Sequence, residues 1–183
     1  MSQSTNVSTN QSTPAERDNE VSTLYDFTKQ GKGKWRIQDD VVMGGRSDSN
    51  LSMTEDGNIR FAGRVSLENN GGFCSFQQTT ENDPYVVKGK TAFSLLLKGD
   101  GKNYNFRVRT PNGRHAYAFT FETKGEEDWE TITIPFSAMK ATYRGRSIEV
   151  PNYAGENIEQ IQVLIGNKKE ENFTLVVSKI EVM

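Results

Sequence analysis

The chain has 183 residues, a formal net charge of −2 and a sequence pI near 5.6. That length suits one domain with a tail, and it carries enough apolar surface for a core that needs no disulfide or metal. The acidic balance excludes the basic excess of a general nucleic-acid binder, and no run approaches the ~20 apolar residues of a membrane-spanning helix. The single cysteine, Cys74, excludes an internal disulfide and a cysteine-based zinc site, and the single histidine, His115, excludes a multi-histidine metal centre. No cofactor is called for.

Residues 1–22 read as a disordered polar tail. Ser2 to Thr13 are almost entirely Ser, Thr, Asn and Gln, and Pro14 to Glu20 are polar and charged, so the stretch has too little apolar surface to offset chain entropy. It lacks the basic start and apolar core of a secretory signal, and its Glu16, Asp18 and Glu20 are wrong for an organelle transit peptide. As the sequence stands it is expected to be soluble and cytoplasmic. A mitochondrial-matrix or exported location would need a signal upstream.

Residues 23–183 read as one all-β domain. Asn58 to Leu67 alternates polar and apolar residues, Thr91 to Leu97 is more continuously apolar, and Tyr104, Phe106 and Val108 share one face of a strand ending at Arg109. Ala116 to Phe121, Glu130 to Ile134, Ile158 to Ile165 and Phe173 to Val182 follow, separated by turn signals such as Asp56-Gly57, Gly99-Asp100-Gly101 and Pro111-Asn112-Gly113. Short strands at 8–12-residue spacing predict a two-sheet antiparallel sandwich of roughly nine or ten strands, with a single helical turn at Phe136 to Met139. Trp35 and Trp129, beside Ile37 and Ile132, are expected in the core.

Few residues suggest chemistry. Asp39 and Asp40 are expected to point to opposite faces of a strand, so they do not form a catalytic pair. Gly99-Asp100-Gly101 lacks the helix that a phosphate loop requires, Cys74 reads as a small buried hydrophobe, and His115 as half-buried. Met43-Gly44-Gly45 and Asn70-Gly71-Gly72 are two loops whose paired glycines suit close backbone approach. They are expected to pack together, with Asp40 fixing the first through hydrogen bonds. Arg144 and Arg146 flank Gly145 and are expected to project the same way, one of them tied to Asp40 or Asp100.

Several segments together resemble one family. Trp35, Asp40-Val41-Val42-Met43-Gly44-Gly45-Arg46-Ser47 and Phe61 to Phe73, ending in Asn69-Asn70-Gly71-Gly72-Phe73, are similar to the first motifs of the NADH:ubiquinone oxidoreductase (complex I) intermediate-associated protein 30 family. Gly99-Asp100-Gly101 with Tyr104, Trp129 leading to Ile134-Pro135-Phe136, Arg144-Gly145-Arg146 and the last two strands follow in the family order. The resemblance covers about Leu24 to Met183. It implies a galactose-binding-like jelly-roll β-sandwich and a non-enzymatic protein-interaction domain that assists assembly or stability of a larger complex. Its partners would be proteins, with respiratory-complex subunits or assembly intermediates the candidates. The oligomeric state stays open. The alternative is a carbohydrate- or small-ligand-binding module, with Tyr85, Tyr143 and Tyr153 as stacking platforms. Asp40, Met43, Gly44, Gly45, Asn70, Gly71, Gly72, Asp100, Arg144 and Arg146 are the binding candidates.

Overall fold

A computed structural model describes residues 20–125 and 127–183; most of the expected polar tail lies outside the described residues. Thirteen strands appear among those described: β1 (Ser22–Asp26), β2 (Arg36–Ile37), β3 (Asp48–Met53), β4 (Ile59–Val65), β5 (Cys74–Thr79), β6 (Ala92–Lys98), β7 (Asn103–Arg109), β8 (Ala116–Glu122), β9 (Glu130–Pro135), β10 (Lys140–Tyr143), β11 (Arg146–Ser147), β12 (Gln160–Ile165) and β13 (Glu171–Val182). The first sheet runs β3-β4-β13-β6-β9, with β1 also paired to β13, and the second runs β11-β10-β8-β7-β12-β5-β2. All pairings are antiparallel. The two-sheet antiparallel sandwich expected from the strand spacing, and the jelly roll that the family resemblance implies, are therefore present. There are more strands than the roughly nine or ten expected, because short pairing segments such as β2 and β11 carry too little pattern to be read.

Period-two patterning explains the layers. In β7, Tyr104, Phe106 and Val108 face the core and the residues between them face outward. The long β13 needs an irregularity to do the same. Phe173, Leu175 and Val177 point inward, then the register shifts between Val177 and Lys179, and Ile180 and Val182 resume the inward face. One extra residue in a bulge restores the facing of the second half. This lets β13 pair with β6 on one side and with β4 and then β1 on the other. Between the sheets an aromatic chain runs from Tyr25 and Phe27 through Trp35 to Phe76, Phe61 and Phe173, with ring centroids 4.7–5.5 Å apart, in tilted and edge contacts that suit aromatic quadrupoles.

Three sequence expectations need correction. Besides the turn at Phe136–Ala138, a short helix α1 (Phe27–Gln30) and 3-10 turns at Asp40–Met43 and Glu68–Asn70 are present. Asp26 caps α1 by accepting from the Thr28 N–H, a local signal that four residues of sequence carry too weakly. Asp39 and Asp40 thus sit at a turn, not on a strand. Trp129 is 41 % exposed rather than buried, while Trp35 is 1 % exposed. The reason is parity: Trp129 lies three residues from Ile132, so it shares the outward face of Thr131 and Thr133, whereas Trp35 and Ile37, two apart, both face inward.

Candidate functional site

The two glycine-rich loops meet over one carboxylate. Asp40 opens its 3-10 turn, Gly44 ends it at φ 90°, and the Gly45 N–H donates back to the Asp40 carbonyl (3.0 Å). That reversal brings Ser47 onto the Asp40 side chain: its N–H donates to Oδ1 at 3.0 Å and its hydroxyl to Oδ2 at 2.5 Å. From the second loop, the N–H groups of Gly72 and Phe73 donate to the same Oδ2 at 2.7 and 3.2 Å. The Ser66 N–H donates to Ser47 Oγ (2.9 Å), extending the network to the end of β4. Each glycine pair divides its work. Gly44 and Gly72 take positive φ, whereas Gly45 and Gly71 sit against the carboxylate, where an added Cβ would lie 2.3 Å from Oδ1 and 2.6 Å from Oδ2 respectively.

The neighbouring Asp39 holds a separate set. Its Oδ1 accepts from the Ser75 N–H (3.0 Å) and Ser49 hydroxyl (2.8 Å). Both acids are buried, and their titrations diverge. For Asp40, burial pushes the carboxyl up, but the donors from Ser47, Gly72 and Phe73 outweigh it and hold the group below the usual carboxylate range. For Asp39, burial wins over Ser49 and Ser75, with the Asp40 and Asp48 charges adding to it, and the group is raised. With four hydrogen bonds on two oxygens, Asp40 is saturated as an acceptor; its role is to hold the loops. The loops show three apolar side chains to solvent among polar ones: Met43 is 79 % and Val41 59 % exposed, and Leu67 is exposed on the second loop. Arg46 and Glu68 pair across the surface between them (3.5 Å). Asn69 and Asn70 are also exposed.

The remaining candidates lie elsewhere. Asp100, in the β6–β7 turn, accepts from the Lys102 and Thr174 N–H groups (3.2 and 2.8 Å) and pairs with Lys102 Nζ (3.5 Å). Arg144 and Gly145 both take positive φ, at 49° and 75°, in a two-residue hairpin turn between Tyr143 and Arg146. The Arg144 guanidinium lies 5.3 Å from the Tyr143 ring. The expectation that one arginine is tied to Asp40 or Asp100 is therefore wrong, because those carboxylates already have their own donors. The extended-loop geometry is wrong as well, since the pair turns a tight corner. The three tyrosines share no platform: Tyr153 is core, Tyr85 bonds to Gln78, and Tyr143 stands at the hairpin. His115 is half-buried with its ring edge-on to Tyr117. Cys74 is fully buried, and burial, with the Asp39 charge, pushes its thiol up to about 12, which suits an inert core residue.

A polar cleft of about 690 Å³ opens on the outer face of the first sheet. Thr174 and Val176 floor it, Asp56, Asn58 and Arg60 form one wall, and Lys98, Glu127 and Trp129 form the other. Lys98 Nζ lies 4.7 Å from the Trp129 ring centroid. The sequence signal that could have found this site was the parity of Trp129. Among the described residues no helix is long and apolar enough to cross a membrane, and no group of three or more His, Cys, Asp or Glu side chains could hold a metal ion.

The architecture is that of the jelly-roll β-sandwiches among carbohydrate-binding modules. The family 11 module of a cellulosomal cellulase from Clostridium thermocellum superposes with a TM-score of 0.66 at 17 % identity, over 90 % of this chain and 94 % of that one. The same kind of module in complex with a β-1,3-1,4-mixed-linked tetrasaccharide gives 0.66 at 18 %, over 89 % and 95 %. A family 29 module variant gives 0.55 at 6 %, over 90 % and 91 %. A protein of Schizosaccharomyces pombe described as uncharacterized is 26 % identical over 166 residues, spanning 80 % of this chain and 76 % of that protein. The chain belongs to the complex I intermediate-associated protein 30 family, whose sequence pattern it matches over residues 25–177.

Proposed function

We propose that this protein is a non-enzymatic interaction domain that assists assembly or stability of a larger protein complex, with subunits or intermediates of respiratory complex I as its partners. Family membership supports the complex. One structural observation carries the contact surface: strongly exposed Met43 and Val41 are borne on a loop that a buried, acceptor-saturated carboxylate fixes. Exposed apolar side chains held on rigid backbone lose little entropy on docking, and Met is enriched at interface cores. Asp40, Gly45, Gly71 and Gly72 shape the surface; Met43, Val41 and Leu67 touch the partner. The test is co-purification of complex I subunits from cells of the native host. Met43→Glu should melt like wild type and lose those subunits. Equal recovery by wild type and variant would refute the surface, and recovery of none by wild type would refute the partner.

A second reading, a saccharide-binding module, is supported by the solvent-open Trp129 at the mouth of a polar cleft and by a fold shared with modules described by that activity.

A further inference from the structure

We propose that the cleft on the outer face of the first sheet binds a neutral oligosaccharide, with Trp129 as the stacking platform and Arg60, Asp56 and Glu127 as hydrogen-bonding groups. The proposal rests on the second reading above and assigns its site. The register sets the geometry. Val176 of β13 pairs with Arg60 on one side and with Lys98 on the other, so Arg60 and Lys98 stand about two strand spacings, ~9.5 Å, apart across an apolar floor. Trp129 precedes β9 and continues this row beyond Lys98. The β3–β4 turn carries Asp56 and Asn58 over the opposite rim. A volume of about 690 Å³ falls within the usual range for small-ligand sites.

Charge decides the class of ligand. Asp100 also lines the cleft, but the Lys102 and Thr174 N–H groups and the Lys102 ammonium already engage its carboxylate. That leaves two cations, Arg60 and Lys98, against two carboxylates, Asp56 and Glu127. A balanced set offers no net attraction to an anion or a cation. It does offer donors and acceptors on both walls for hydroxyl groups, while Trp129 and Val176 offer apolar surface for the C–H face of a sugar ring. Lys98 over the indole holds the ring in place before a ligand arrives. The outer face of the second sheet is built differently: Gln77, Gln162 and Arg107 form one cross-strand row there, and Gln77 is buried.

The two tryptophans supply the readout, because Trp35 is fully enclosed in the core and Trp129 is open to solvent. The full chain is titrated with three neutral probes, the mixed-linked β-1,3-1,4 tetrasaccharide, maltotetraose and tetra-N-acetylchitotetraose, by tryptophan fluorescence and calorimetry. At least one should shift the Trp129 emission saturably. Trp129→Ala should weaken calorimetric affinity at least about tenfold, the loss of one stacked aromatic contact, with an unchanged melting curve, and Asp56→Asn should weaken it as well. Binding that survives both substitutions would place the saccharide elsewhere, overturning this site but not the second reading. No binding of any probe at millimolar concentration would overturn both. A stronger response to an anionic oligosaccharide than to every neutral probe would overturn the charge argument and with it the proposal.

Discussion

Removing the Asp40 carboxylate tests how the two loops are held. Asp40→Ala strips the acceptor from three backbone N–H groups, of Ser47, Gly72 and Phe73, and from the Ser47 hydroxyl. Hydrogen bonds to a charged group contribute about 1.5–3 kcal/mol each, and a stranded buried donor costs about 1–3 kcal/mol. Gly72 and Phe73 are only half-buried, so water can replace the acceptor there, whereas Ser47 is fully buried. The net loss is therefore about 4 kcal/mol, or about 8–16 °C in melting temperature for a domain of this size. Asp40→Asn keeps one oxygen for Gly72 and Phe73 but turns its amide against the Ser47 N–H, so it should lose about half as much. The depressed Asp40 contributes stability that is present above its ordinary value near 3.9 and is lost as pH falls through its folded value. The gap between wild type and Asp40→Asn should accordingly narrow in acid. Asp39, raised by burial, has the opposite sign: its ionisation costs stability at neutral pH, and that cost vanishes below its ordinary value. The Ser75 N–H donates to Oδ1 and the Ser49 hydroxyl is shared between Oδ1 and Oδ2, so an amide whose oxygen takes the Oδ1 place keeps both donors. Asp39→Asn should therefore be at least as stable as wild type at pH 7 and lose that advantage near pH 4. Thermal melts by circular dichroism across pH 3–7 measure all of this. An Asp40→Ala variant that melts with wild type at pH 7 would refute the reasoning.

Gly45→Ala and Gly71→Ala force a Cβ onto the Asp40 carboxylate and should each cost about 1–3 kcal/mol, measured by urea denaturation. Gly44→Ala meets nothing within 4 Å and should show only the strain of its positive φ, about 1 kcal/mol. Trp35→Ala should cost about 3–5 kcal/mol, whereas Trp129→Ala should stay within about 1 kcal/mol of wild type. Cys74, with its thiol raised to about 12 and buried, should resist a thiol reagent at pH 8 in the native protein and react at once in denaturant.

Much of the sandwich was legible because a strand states its facing every second residue. Tyr104, Phe106 and Val108 are read off the chain without ambiguity, and so is the inward face of Phe173, Leu175 and Val177. The bulge that turns Ile180 and Val182 inward was not legible, because one extra residue changes parity without changing composition. Trp129 failed for the same kind of reason: its place beside Ile132 in a strand-like stretch argued for the core, but the two are three residues apart, which puts them on opposite faces. The meeting of the loops was legible from the double glycines and from Asp40 just before the first pair. The partners of that acid, Gly72 and Phe73, lie more than thirty residues away, a distance that no local pattern encodes. The positions of Arg144 and Arg146 could not be read from charge, since a turn of two positive-φ residues usually announces itself with Asn-Gly or Asp-Gly, not Arg-Gly.

The most direct measurement places a photo-crosslinking amino acid at position 43 of the full chain, expressed in the native host. Met43 is open to solvent on a loop held by Asp40, so the substitution leaves the fold intact. Mass spectrometry should identify adducts with complex I subunits or assembly intermediates from position 43, with none from a control crosslinker at exposed Val150. Adducts equally frequent at both positions, or none to a respiratory-complex protein at position 43, would contradict the account.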